Sequence, residues 1–102
     1  MTKKQQNICK QLGWKIISEN NYIILQQFSP AGEDFFFYVD KTNFAKSISE
    51  YAEDFNPTEH AAIWVRNMHT VNGVPHSIRI LIDDADAIKQ MLTELSEQIN
   101  KI

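Results

Sequence analysis

The sequence predicts an α+β domain: an N-terminal helix, a three-stranded antiparallel sheet made of a hairpin plus a third strand, then three or four helices packed on one face of that sheet. Three observations carry this reading. Two β-prone runs, Trp14–Ser18 and Tyr22–Phe28, flank an Asn-Asn pair, the chemistry of a tight hairpin turn. A run of aromatics, Phe35-Phe36-Phe37-Tyr38-Val39, follows after a turn. Beyond it the apolar period changes from two to between three and four and stays there to the end. Strands first and helices afterwards indicate helices segregated to one side of an antiparallel sheet.

Residues 3–12 form the first predicted helix, with Ile8, Cys9 and Leu12 on one side and Gly13 as its stop. In the hairpin, Glu19 faces Tyr22 and the asparagines supply left-handed turn residues. That register puts Trp14, Ile16, Ile23 and Leu25 on one face and Lys15, Ile17, Glu19, Tyr22 and Ile24 on the other. Ser29–Asp34 is a polar turn. The third strand, 35–39, is apolar on both sides, which predicts that both are at least partly covered. A helix capped by Thr42 or Asn43 then buries Phe44, Ile48, Tyr51, Ala52 and Phe55.

Asn56-Pro57-Thr58-Glu59 opens the next helix: a cap, a proline at the first position and an acid at the third. Ala61, Trp64, Val65 and Met68 share its buried face. Asn67–His76, with Asn72-Gly73 and Pro75, has turn composition. The firmest helix is the last. Ile88, Met91, Leu92, Leu95, Ile99 and Ile102 recur at spacings of three and four, and the stripe runs back through Ile78, Leu81, Ile82 and Ala85. Residues 77–82 therefore read as a short helix leading into the long one, kinked near Asp83, with a buried strand as the rival. Asp84 or Asp86 suits the cap of the long helix.

At 102 residues this is one domain, residues 1–102, and 43% hydrophobic with 23% charged content is ordinary globular composition. No apolar run approaches the length of a membrane span. MTKKQQNICKQLGWK lacks the unbroken apolar segment of a signal peptide. A single cysteine allows no internal disulfide, so the expected compartment is the cytoplasm. The net charge of −3 is uneven. Residues 1–32 carry four lysines against one glutamate, residues 33–59 seven acids against two lysines, and residues 83–97 five acids against Lys89. That balance argues against nucleic-acid binding, which needs a basic surface.

No catalytic, cofactor or metal site is expected. His60, His69, His76 and Cys9 are scattered, and Glu59-His60 has no second histidine at helical spacing. Asp83, Asp84 and Asp86 lack the glycine and glutamate of a calcium loop. No nucleophile elbow or phosphate loop is present. Trp14 among Lys3, Lys4, Lys10 and Lys15 reads as sheet core or as a stacking residue in a basic patch.

The segments SPAGEDFFFYVD, YAEDFNPTEHAAIWV and NGVPHSIRILIDDADAIKQML resemble a group of small acidic uncharacterised proteins found as phage, plasmid and conjugative-element cargo in anaerobic bacteria. The resemblance spans about residues 28–95 and rests on the EDF, EHAxxWV and GVPxSIRxLxxDAxxIxxML spacings. It implies a setting on a mobile element and no catalytic residue. The leading functional expectation is a noncatalytic module that binds a protein partner or self-associates, a dimer included. Its candidate interface is Ile17, Tyr22, Ile24, Phe35 and Phe37, on the sheet face opposite the core. The competing reading of that face has the N-terminal helix fold back over it with Ile8 and Leu12. Two other functional readings stand beside the leading one: an inhibitor of host defence whose acidic helices mimic nucleic acid, and a small hydrolase using His69 or His76 with Glu59.

Overall fold

The computed structural model describes residues 1–68 and 78–102. In order, the elements are α1 (Lys3–Gln11), β1 (Lys15–Ser18), β2 (Tyr22–Phe28), β3 (Asp34–Asp40), α2 (Phe44–Asp54), α3 (Pro57–Met68) and α4 (Ile78–Asn100). The strands form one antiparallel sheet in the order β1-β2-β3. The fold is α+β, as the pattern predicts.

Each helix has a local cause. α1 starts in a capping box: Gln5 N–H donates to Thr2 Oγ1, and Thr2 N–H to Gln5 Oε1. It ends at Gly13, whose φ of +90° no side-chain-bearing residue adopts cheaply. α2 begins without the expected side-chain cap on Asn43. Instead Asp40 accepts from the Thr42 N–H and hydroxyl, and Ser47 Oγ accepts from Asp40 N–H. At the far end of α2, the Lys89 ammonium of α4 donates to the Ala52 and Glu53 carbonyls, a cation placed where a helix leaves acceptors open. α3 opens as predicted, with Glu59 N–H donating to Asn56 Oδ1 and Pro57 in the first position.

β1 and β2 take the predicted register, with Ile16 opposite Leu25 and Ile17 opposite Ile24. The turn does not use the expected left-handed asparagines, since no described non-glycine residue has positive φ. The register therefore follows from burying Ile23 and Leu25 on one face.

All of the helices pack toward that inner face. α1 lies against α4 and β1, α2 against β3 and α4, and α3 against α4. The main core gathers Cys9, Trp14, Ile23, Leu25, Phe37, Ile48, Ile88, Leu92 and Leu95, with Ile8 and Leu12 packed on it. A smaller cluster joins α3 to α4 through Ala61, Leu81 and Ala85, with Trp64 and Val65 beside them.

Three expectations about α4 change. Residues 78–82 are helix, as the leading reading expects, but they belong to α4 as one helix through Asp83 in place of a separate short one. Ile82 and Ile102, placed on the buried stripe, are exposed, because Leu81 and Ala85 take the inward positions and Ile102 lies beyond the last turn. Asp84 is not a cap. It sits in the second turn of α4, 4% exposed, and fastens the β2–β3 loop. Ser29 Oγ donates to one carboxylate oxygen at 2.6 Å and Ala31 N–H to the other at 2.8 Å. Ser29 Oγ also accepts from Glu33 N–H at 2.9 Å. The expected turn at Asn72-Gly73 and Pro75 lies outside the described residues.

Two stability outcomes follow. Leu92 is fully buried, so Leu92→Ala is expected to destabilise the domain by about 2–5 kcal/mol in urea unfolding. Asp84→Ala leaves a buried hydroxyl and a loop N–H without their acceptor and is expected to cost about 1.5–3 kcal/mol. Asp84→Asn keeps an acceptor and should cost less. Equal midpoints for wild type and Asp84→Ala would show that the loop is held by other contacts.

Candidate functional site

β3 decides what the outer face of the sheet looks like. It pairs with β2 so that Tyr22 faces Asp40, Ile24 faces Tyr38, Gln26 faces Phe36 and Phe28 faces Asp34. Paired residues share a face. Phe35, Phe37 and Val39 therefore point inward with Ile23 and Leu25, and are 4%, 2% and 1% exposed. This corrects the assignment of Phe35 and Phe37 to the candidate interface. With three phenylalanines in a row the hydrophobic pattern is silent on parity, and the register settles it. Phe36 and Tyr38 take the outward positions instead.

The outer face thus carries Ile17 and Ile24, half-buried between neighbours, and four exposed aromatics: Tyr22 at 40%, Phe28 at 64%, Phe36 at 50% and Tyr38 at 58%. Tyr22 and Tyr38 meet edge to face at 5.1 Å, and Phe36 and Tyr38 at 6.2 Å. Of the expected interface residues, the structure brings Ile17, Tyr22 and Ile24 together and adds Phe28, Phe36 and Tyr38. Ile8 and Leu12 pack on the inner core, so α1 does not cover this face. Among the described residues neither hydrophobic cluster reaches it.

Among the described residues its charges are mainly negative. Lys15 is one cation on this face; Glu19, Asp34 and Asp40 are three carboxylates, all exposed. Asp34 accepts from Gln26 Nε2 at 2.7 Å. Hydrogen bonds from the Thr42 hydroxyl and N–H hold the Asp40 carboxyl below its ordinary value, so it stays ionised at neutral pH.

A second polar feature lies on the helical side. His60 Nε2 of α3 is 3.0 and 2.8 Å from the two Glu33 carboxylate oxygens. The ring packs on Phe55 at 5.1 Å and Phe35 at 5.8 Å. Beside it is a shallow groove of about 230 Å³ bounded by Tyr51, Asn56, Glu59, His60 and Ile63. Burial, and then the Glu33 charge, push the Tyr51 phenol above its ordinary value. Among the described residues the groove lining includes no serine, threonine or cysteine. The Glu33–His60 contact joins α3 to the β2–β3 loop.

Glu59 is exposed at the start of α3, and His69 and His76 lie outside the described residues. No group of three or more potential metal ligands occurs among the described residues, and no described helix is long and apolar enough to cross a membrane. Of the acids in the acidic segment 83–97 of α4, Asp84 is buried. Trp14 is core, 2% exposed and edge-on to Phe37 at 5.5 Å. Comparison with family models, curated proteins and solved structures returns no match.

Cys9 is fully buried, and burial raises its thiol from 9.0 to about 11. Folding favours the protonated thiol, so its contribution is complete below pH 9 and disappears as pH rises through about 11. The raised Tyr51 phenol acts in the same alkaline direction. The melting temperature of Cys9→Ala is therefore expected to fall less steeply than that of wild type between pH 9 and 11. Parallel slopes would contradict this.

Proposed function

We propose that the chain is a noncatalytic protein-binding module whose contact surface is the outer face of the sheet. The observation that supports this is the set of aromatics, Tyr22, Phe28, Phe36 and Tyr38, exposed together on one flat face. A sheet face turned to water ordinarily alternates to polar side chains. The largest contiguous apolar patch on a monomer is often its functional surface, and aromatic side chains dominate interface energetics. The acid-rich rim opposes a nucleic-acid ligand, which would need cations beside the stacking rings. The resemblance to mobile-element cargo proteins supplies the setting: a cytoplasmic accessory protein meeting a partner protein.

The test is a double variant, Phe36→Glu with Tyr38→Glu, alongside a control, Glu50→Gln with Glu94→Gln, on the helical side. Both pairs are exposed, so all three proteins should melt within a few degrees of one another. Proteins captured from a bacterial lysate would be quantified by mass spectrometry, and self-association by sedimentation velocity. A partner, or an oligomer, held by wild type and control and lost from the Phe36/Tyr38 variant is the expected result. The same capture and sedimentation for all three would remove the sheet face from consideration.

A further inference from the structure

Resting on that reading, we infer that the outer face accepts a single basic amphipathic helix of another protein, laid along the strands, in preference to a second copy of this chain. Three features point to this occupant. The first is size. β2 and β3 are each seven residues long, which gives a length of about 23 Å, and three strands give a width of about 14 Å. One helix is about 10–12 Å across and covers 23 Å in about 15 residues. The projected area, about 330 Å², is the footprint of one such helix, whereas a standard stable interface of roughly 800 Å² per partner would draw on surface beyond this face.

Charge is the second feature. Asp34 and Asp40 close the two ends of β3, with Glu19 at the hairpin end beside Tyr22 and Asp40. Two copies meeting on this face would bring six carboxylates against two lysines, a like-charge arrangement that costs affinity. Lysines or arginines near both ends of a partner helix, about 20 Å apart, would meet the acids at both ends. The third is the apolar character of the face between its acids. Phe28, Phe36 and Tyr38 are exposed and Ile17 and Ile24 half-buried beside them. An apolar helical stripe covers such a surface while its polar face stays in water.

The probe is a synthetic amphipathic peptide of about 15 residues, with a leucine stripe and lysines toward both ends. Its counterpart has each lysine replaced by glutamate. Binding to the full chain would be followed by NMR shifts of the Ile17 and Ile24 methyls and the Phe36 and Tyr38 rings. The expected result is shifts on this face with the lysine peptide, weakened about tenfold by high salt, abolished in Phe36→Glu/Tyr38→Glu and absent with the glutamate peptide. Equal binding of both peptides overturns the inference, as does a lysine peptide that shifts residues of α2 and α4 and leaves the sheet unmoved. A wild-type dimer that the Phe36/Tyr38 variant abolishes also overturns it and leaves the contact-surface reading standing. So does a lysate partner lost from that variant when neither peptide binds. No peptide binding together with unchanged capture and sedimentation removes both.

Discussion

Phe37 is the side chain on which the two layers of this protein meet. It lies opposite Leu25 in the sheet, stacks on Tyr51 of α2 at 4.5 Å, and takes the edge of Trp14 at 5.5 Å. Its position fixes the parity of β3. Because neighbouring residues of a strand point to opposite faces, burying Phe37 buries Phe35 and Val39 and turns Phe36 and Tyr38 to water. A slip of one residue would exchange the two sets. The core would then hold two acids, Asp34 and Asp40, at its margins, where an unpaired carboxylate is costly. The core and the exposed aromatic face are therefore two results of one register.

The elements were legible in the sequence to the extent that their signals were periodic. α4 and α2 show clear helical stripes, and Ile88, Leu92, Leu95, Phe44 and Ile48 are buried as their spacing requires. The hairpin register was legible because a two-residue connection at Asn20-Asn21 sets Glu19 opposite Tyr22, and the strands pair accordingly. β3 was the place where this stopped. Phe35-Phe36-Phe37 offers an apolar side chain to both faces, and a pattern that fits both parities selects neither. One available signal was the charge at its ends: Asp34 and Asp40 share parity with Phe36 and Tyr38, and placing both acids outward turns Phe35 and Phe37 in.

Asp84 shows a different limit. An aspartate beside two others at an apparent helix start reads naturally as a cap, since capping is a local interaction visible in local sequence. Its role depends on partners more than fifty positions away, Ser29 and Ala31, and no short-range pattern encodes that. Local sequence is equally silent on His60 and Glu33, 27 positions apart, and on Lys89 reaching Ala52 at the end of α2, 37 positions away. Together these contacts tie the β2–β3 loop, α3 and α2 to the helical layer through polar groups.

An exposed aromatic face is a hazard as well as a surface, and the acids around it bear on both. Edge strands pair readily with other edges unless something prevents it. β3 is an edge strand, and Asp34 and Asp40 sit near its two ends. An antiparallel pairing of β3 with a second copy about Phe37 would set Asp34 of each chain opposite Asp40 of the other, placing like charges at both ends. Face-to-face association meets the same repulsion. The carboxylates thus disfavour the two simplest ways for the chain to cover Phe36 and Tyr38 with itself, while leaving the rings open to a surface of opposite charge. Discrimination of this kind comes from a repulsive element as much as an attractive one. That is why charge, more than apolar area, distinguishes the partner we infer from a second copy.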